Sequence, residues 1–197
     1  MKETSWMKLV VLVASLTVVA SGCAKKEAAT PPEGAAATST QKPAAMESME
    51  PVQVMATLTS RADMTVSGML MFAQQGDSVT VTAHVEGAPP GTHGLHIHDV
   101  GDCSAEDFTS AGGHFNPTDA PHGSPSDEER HAGDLGNIEI GEDGSGHLEL
   151  TSTMITLSEG PNSVVGRGVI LHEKADDLVS QPTGAAGSRL ACGVVGG

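Results

Sequence analysis

The sequence predicts an all-β domain, an antiparallel sandwich or barrel of eight strands. Three observations point there. Short runs of Val, Leu, Ile, Met and Ala alternate with polar residues, the period of two shown by a half-buried strand. Turn signals separate the runs, in a chain with 24 Gly and 11 Pro among 197 residues. No apolar run of helical period and ordinary helix length follows residue 50, so helix layers are not expected.

The elements follow in order. Val52, Val54, Ala56 and Leu58 alternate as the first strand, and residues 66–72 form the second. The turn Gln74-Gln75-Gly76-Asp77 leads to the third, SVTVTAHVEG at 78–87. Pro89-Pro90-Gly91 breaks the chain before the fourth, LHIHDVG at 95–101. Residues 136–140 and 146–151, joined by Glu142-Asp143-Gly144, give the fifth and sixth. Residues 163–172 and 190–195 complete the set. With 2% aromatic content, the core must be aliphatic.

Residues 1–50 are not part of this pattern. Lys2 and Lys8 precede LVVLVASLTVVA at 9–20, a run too short for a span of about 20 apolar residues. It reads as the core of a signal peptide occupying 1–22. The run ends in Ala20-Ser21-Gly22-Cys23, which resembles a bacterial lipoprotein box, with Ala20 where Leu is usual. Cys23 would then carry lipid and anchor an exported chain on the periplasmic or cell-surface side. An ordinary secretory signal, with Cys23 incidental, is the alternative. Residues 23–50, rich in Ala, Thr, Pro, Glu and Lys, read as a disordered tether ahead of a domain at 51–197.

A net charge of −15 excludes a nucleic-acid partner, which needs clustered Lys and Arg. The cysteines number three. With Cys23 assigned to lipid, Cys103 and Cys192 remain as a natural pair, able to persist as a disulfide in an oxidising compartment.

The candidate chemistry lies in the histidines. His96 and His98, one residue apart on a strand, point to the same face. The stretch from 101 to 134 is long for a loop in a compact domain and carries His114, His122, His131 and Asp134. His172 adds a seventh candidate ligand. A lone histidine is more often a surface or core residue than a ligand, but seven such groups point to metal. Imidazole suits copper and zinc alike, whereas a carboxylate in the set favours zinc.

The words GLHIHDVGDC, SAGGHFNP, DEERHAGDLGN, GRGVILHEKADDL and GSRLACGV carry more than spacing. Together they resemble the copper–zinc superoxide dismutase family, in its bacterial exported lipoprotein type, over roughly residues 52–197. The resemblance implies an immunoglobulin-like Greek-key fold with two long functional loops. It implies copper on His96, His98, His114 and His172, and zinc on His114, His122, His131 and Asp134, with His114 bridging. Asp176 matches the carboxylate linking a copper histidine to a zinc histidine, and His93 a buried histidine bonded to backbone. Cys103 and Cys192 match the intrachain disulfide, and Arg189 the arginine over the copper. The implied reaction is disproportionation of superoxide to O2 and H2O2, with His114 moving a proton and Arg189 drawing in the anion. His84 and His147 match no ligand.

Two features depart from the family. From Pro51 onward there are 5 Lys or Arg against 20 Asp or Glu, so any steering of an anion must be local. The segment VSQPTGAA at 179–186 carries no charge, whereas eukaryotic relatives have a longer, charged loop. Arg189 and Lys174 are the basic residues nearest the site in sequence. A copper/zinc-binding module without turnover, or a purely structural surface lipoprotein, are the competing readings. The chain is expected to be a homodimer or a monomer.

Overall fold

The structure is a computed structural model and describes residues 51–197. The expected signal peptide, lipidation site and tether lie outside the described residues. Eight strands follow one another: β1 (Val52–Ser60), β2 (Ser67–Gln75), β3 (Ser78–Glu86), β4 (Gly91–His98), β5 (Asp134–Ile140), β6 (Gly146–Ser152), β7 (Gly168–His172) and β8 (Arg189–Val194). Among the described residues the helical structure is one 3-10 turn, Thr109–Ala111. All pairings are antiparallel, and the strands close into a barrel in the order β1-β2-β3-β6-β5-β4-β7-β8. The path from β3 skips to β4 and returns through β5 and β6 to lie beside β3, a Greek-key connection. Closure is uneven: two residue pairs join β1 to β8, and a single pair, Ile140 with Gly146, joins β5 to β6. The hydrogen bonding therefore divides the barrel into two four-stranded halves, which is the sandwich character the sequence predicts.

The alternation in β3 sets the pattern. Val79, Val81, Ala83 and Val85 are buried, while His84 and Glu86 are exposed. Each inward Val or Leu removes apolar area from water and contributes about 1.5–3 kcal/mol. β4 and β7 break the pattern. Every residue from His93 to His98 and all five of β7 are buried. Leu95, Ile97, Val169 and Leu171 join the barrel core. Their neighbours His96, His98, Ile170 and His172 lie on the other face, which must therefore be covered.

Two loops supply that cover, residues 99–133 and 173–188. A small second core of Phe108, Ala111, Ile170 and Cys192, with Cys103 against it, holds the first loop down. The expected Cys103–Cys192 disulfide forms there, with Cα atoms 5.8 Å apart and a sequence separation of 89. On the chain-entropy account it contributes about 4–5 kcal/mol. Arg167 clamps the loop's start: Nη1 donates to the Asp99 carboxylate at 2.6 Å, and the guanidinium stacks 3.7 Å over the Phe115 ring. Gly101 sits where this loop crosses another segment; a Cβ there would fall 2.0 Å from the Gly166 carbonyl oxygen, so no larger residue fits.

Strand boundaries differ most from expectation at β4 and β7. β4 runs from Gly91 to His98 rather than 95–101. Pairing resumes immediately after Pro90, and it ends at His98 because the N–H groups of Asp99 and Val100 turn to the carbonyls of Gly113 and Ala111. β7 begins at Gly168, not 163, because the N–H groups of Ser163 and Val164 bond back to Gly160 and Thr156.

Candidate metal centre

The outer face of β4 and β7 brings seven predicted residues together in two groups. His96, His98, His114 and His172 form one; His114, His122, His131 and Asp134 form the other. Within each group the potential ligand atoms lie within 4.8 Å of one another, and all seven residues are buried. His114 belongs to both.

Local structure explains the placement. The period of two puts His96 and His98 side by side on β4. His98 forms a β-bridge with His114, and Phe115 N–H donates to the Ile97 carbonyl at 2.8 Å, so the loop crosses the end of β4 in register. The β7–β8 pairing shifts register between Leu171 and His172, leaving His172 opposite Arg189. Such bulges re-aim side chains beside functional sites.

Hydrogen bonds fix which ring nitrogens are free. His98 Nδ1 donates to the Gly112 carbonyl at 3.0 Å, and His172 Nδ1 to the Gly187 carbonyl at 3.3 Å. The remaining Nε2 lone pairs of these two rings face each other at 3.3 Å. Two acceptors at that distance repel unless a cation lies between them. His96 Nε2 donates to Asp176 Oδ2 at 2.7 Å, and His122 Nε2 to Asp176 Oδ1 at 2.9 Å. This leaves His96 Nδ1 and His122 Nδ1 buried without a hydrogen-bond partner, and His114 Nε2 shares that condition. Buried polar atoms without partners are rare and call for a ligand.

The second group converges on one atom. Asp134 Oδ1 lies 2.8 Å from His114 Nδ1, 3.0 Å from His122 Nδ1 and 3.2 Å from His131 Nδ1. Of these, the His122 contact is lone pair against carboxylate, since its proton is on Nε2. Asp134 Oδ2 is turned away by the N–H groups of Gly123 and His131, each at 3.1 Å. Three imidazoles and a carboxylate fit zinc; an all-imidazole set fits copper.

Protonation favours ligation. Burial, followed by the charge of His114, pushes His98 down to about 2 from its ordinary 6.5. Burial likewise takes His172 to about 4 and holds His96 well below the usual range. His131 is lowered for the same reason. Burial alone would raise Asp134, but hydrogen bonds from His114 and the Gly123 N–H outweigh it and hold the carboxyl low. Neutral imidazole and ionised carboxylate are the forms that bind a metal ion.

Asp176 joins His96 of one group to His122 of the other. Gly184 makes room for it: φ is +64°, and a Cβ would fall 1.8 Å from Asp176 Oδ1. Sequence reasoning missed two residues that hold this link. Asn137 pairs its amide with the Asp176 backbone, donating to the carbonyl at 2.9 Å and accepting from the N–H at 2.8 Å. Gln181 does the same for His122, at 2.8 Å in both directions. Asn137 ends the word DEERHAGDLGN, but nothing in its spacing announces a clamp.

The remaining predicted residues fall as follows. His93 lies behind the site with Nδ1 and Nε2 each 2.8 Å from a backbone carbonyl, those of His172 and Pro89. Arg189 donates from Nη1 to the Phe108 carbonyl and from Nη2 to that of Gly112 at 2.6 Å. The Gly112 oxygen also accepts His98, so guanidinium and imidazole share one acceptor. His84 and His147 lie apart, facing outward on β3 and β6.

A closed Greek-key barrel with two buried, histidine-rich groups that could each hold a metal ion, and that share His114, defines the class of β protein to which this chain is compared. The chain matches the family described as copper/zinc superoxide dismutase (SODC) over residues 66–195, and it belongs to that family. It is also similar to a solved structure named the clock protein EA4, at 42% identity and a TM-score of 0.67, covering 75% of this chain and 95% of that one.

Proposed function

We propose that this protein disproportionates superoxide, with copper held by His96, His98, His114 and His172 and zinc by His114, His122, His131 and Asp134. The observation that carries this reading is the double membership of His114, whose Nδ1 lies in the carboxylate-containing group while its Nε2 is buried among the imidazole-only set. When bound, copper supplies an alternating one-electron acceptor and donor, a role zinc lacks.

The chain's own residues do the rest. Arg189 spends two of its five N–H donors on backbone carbonyls, which leaves three to hold a small anion beside His98. The exposed Lys174, whose side-chain stem lies along Gly187, adds local positive charge to an acidic domain. His114 Nε2 takes up and delivers one proton, and solvent delivers the other. Two superoxide ions and two protons thus give one O2 and one H2O2. Burial keeps His96, His98, His131 and His172 neutral and ready to ligate.

Full copper and zinc occupancy with catalytic superoxide consumption is the expected result for the metal-loaded chain. Full occupancy without turnover would overturn the proposal. It would favour the reading of a metal-binding module without turnover. We further propose export and lipid anchoring through Cys23, supported by the apolar run at 9–20 and the small residues before the cysteine. Cys23→Ser should abolish membrane partition in the detergent phase; unchanged partition would remove the anchor.

A further inference from the structure

We propose a third metal site, exposed on the outer face of the opposite half of the barrel, that takes cuprous ion on His84, His147 and Met69. The proposal goes beyond the dismutase reading and uses none of its residues. Strand register lines up the three donors. Met69 of β2 lies directly opposite His84 of β3, and His84 directly opposite His147 of β6. All three point to solvent, because their neighbours Leu70, Ala83 and Val85 fill the core. The two imidazole rings already face each other, with centroids 4.6 Å apart and planes tilted by 37°. Directly opposed strand residues have Cβ atoms about 4.5–5.5 Å apart, a span two imidazoles can close around one ion with bonds of about 2 Å.

The surroundings favour a soft cation. Met69 is 46% exposed and Met55 54%, large apolar side chains that packing does not explain. Met55 lies opposite Met71 in the adjacent row, so further thioethers border the donors. Glu86 and Glu149 sit two positions along β3 and β6 on the same face. None of β1, β2, β3 and β6 contains Lys or Arg, so nothing on these strands repels a cation. Two imidazoles alone accept zinc or either copper ion; the thioether selects the cuprous ion.

The test uses the full chain with its buried sites already filled with copper and zinc. Cuprous ion is titrated anaerobically against a chromophoric chelator. One further equivalent is expected, and the double substitution His84→Gln/His147→Gln should abolish it while leaving superoxide consumption and circular dichroism unchanged. Met69→Leu should weaken cuprous binding by about tenfold or more and leave zinc binding at the pair nearly unaffected. No further equivalent, or one that survives the double substitution, would overturn the site. Equal loss of cuprous ion and zinc in Met69→Leu would overturn its assignment to the cuprous ion.

Discussion

The two ion-binding groups share a histidine but are built differently. His96, His98 and His172 stand on β4 and β7, strands whose inner faces are packed into the barrel core. His114, His122 and His131 come from the 99–133 loop, and only Asp134 begins a strand. The first group is positioned by sheet pairing that exists without any ion. The second is positioned by contacts to one carboxylate and by the Gln181 amide clamp on His122. The difference teaches where each group's rigidity comes from: strand packing in one case, polar contacts in the other.

Acid tests the strand-borne group. A histidine whose folded value lies below its unfolded 6.5 binds fewer protons folded than unfolded, so its neutral form supports the fold above 6.5. That support is lost as pH falls from 6.5 through about 4 for His172 and toward about 2 for His98. At about pH 4 the metal-free chain should lose on the order of 3 kcal/mol for each of the two, measured as a drop in urea midpoint. His98→Leu should remove its share of the pH dependence; an unchanged slope would show that the strand group is not its source.

Asp134→Ala tests the loop group. It removes the carboxylate that accepts hydrogen bonds from His114, His131 and two backbone N–H groups, and each buried donor left without a partner costs about 1–3 kcal/mol. Zinc should fall by one equivalent, and amide exchange should speed up across 114–133 while β4 and β7 stay protected. Equal loss of protection in β4 would erase the distinction between the regions. Arg189 belongs with the strand group, opposite His172. Arg189→Glu should slow superoxide consumption by about 10- to 100-fold and change its salt dependence, with metal content intact. An unchanged rate at full copper occupancy would count against its role.

The smallest expected effect concerns the clamps. Asn137→Leu or Gln181→Leu strands a backbone N–H and C=O, at about 1–3 kcal/mol each. Thermal unfolding should report both, and zinc affinity should fall more than copper affinity in Gln181→Leu, because that clamp holds His122. Equal effects on both metals would place the clamp in the link between groups rather than in the loop.

The ligand-type side chains were legible because their chemistry is rare and their words are long: HIH on one strand face, GGHFNP, LHEKADD. The barrel was legible from alternation in β1 and β3. What stayed hidden has a physical reason. Asn137 and Gln181 act through their amides on backbone groups far away in sequence, and any Asn or Gln can do so. The small core under the first loop joins Phe108 and Ala111 to Ile170 and Cys192, residues that no single periodic pattern contains. The early end of β4 depended on where the N–H groups of Asp99 and Val100 would go, which only the folded loop decides.

His114 sits in both groups, and Asp176 ties His96 to His122. Occupancy on one side therefore cannot be independent of the other. Thermodynamic reciprocity fixes the form of that dependence: whatever factor filling the loop site adds to affinity at the strand site, filling the strand site returns in equal measure. Loading order can then alter how fast the protein matures, but not the coupling energy of the finished pair.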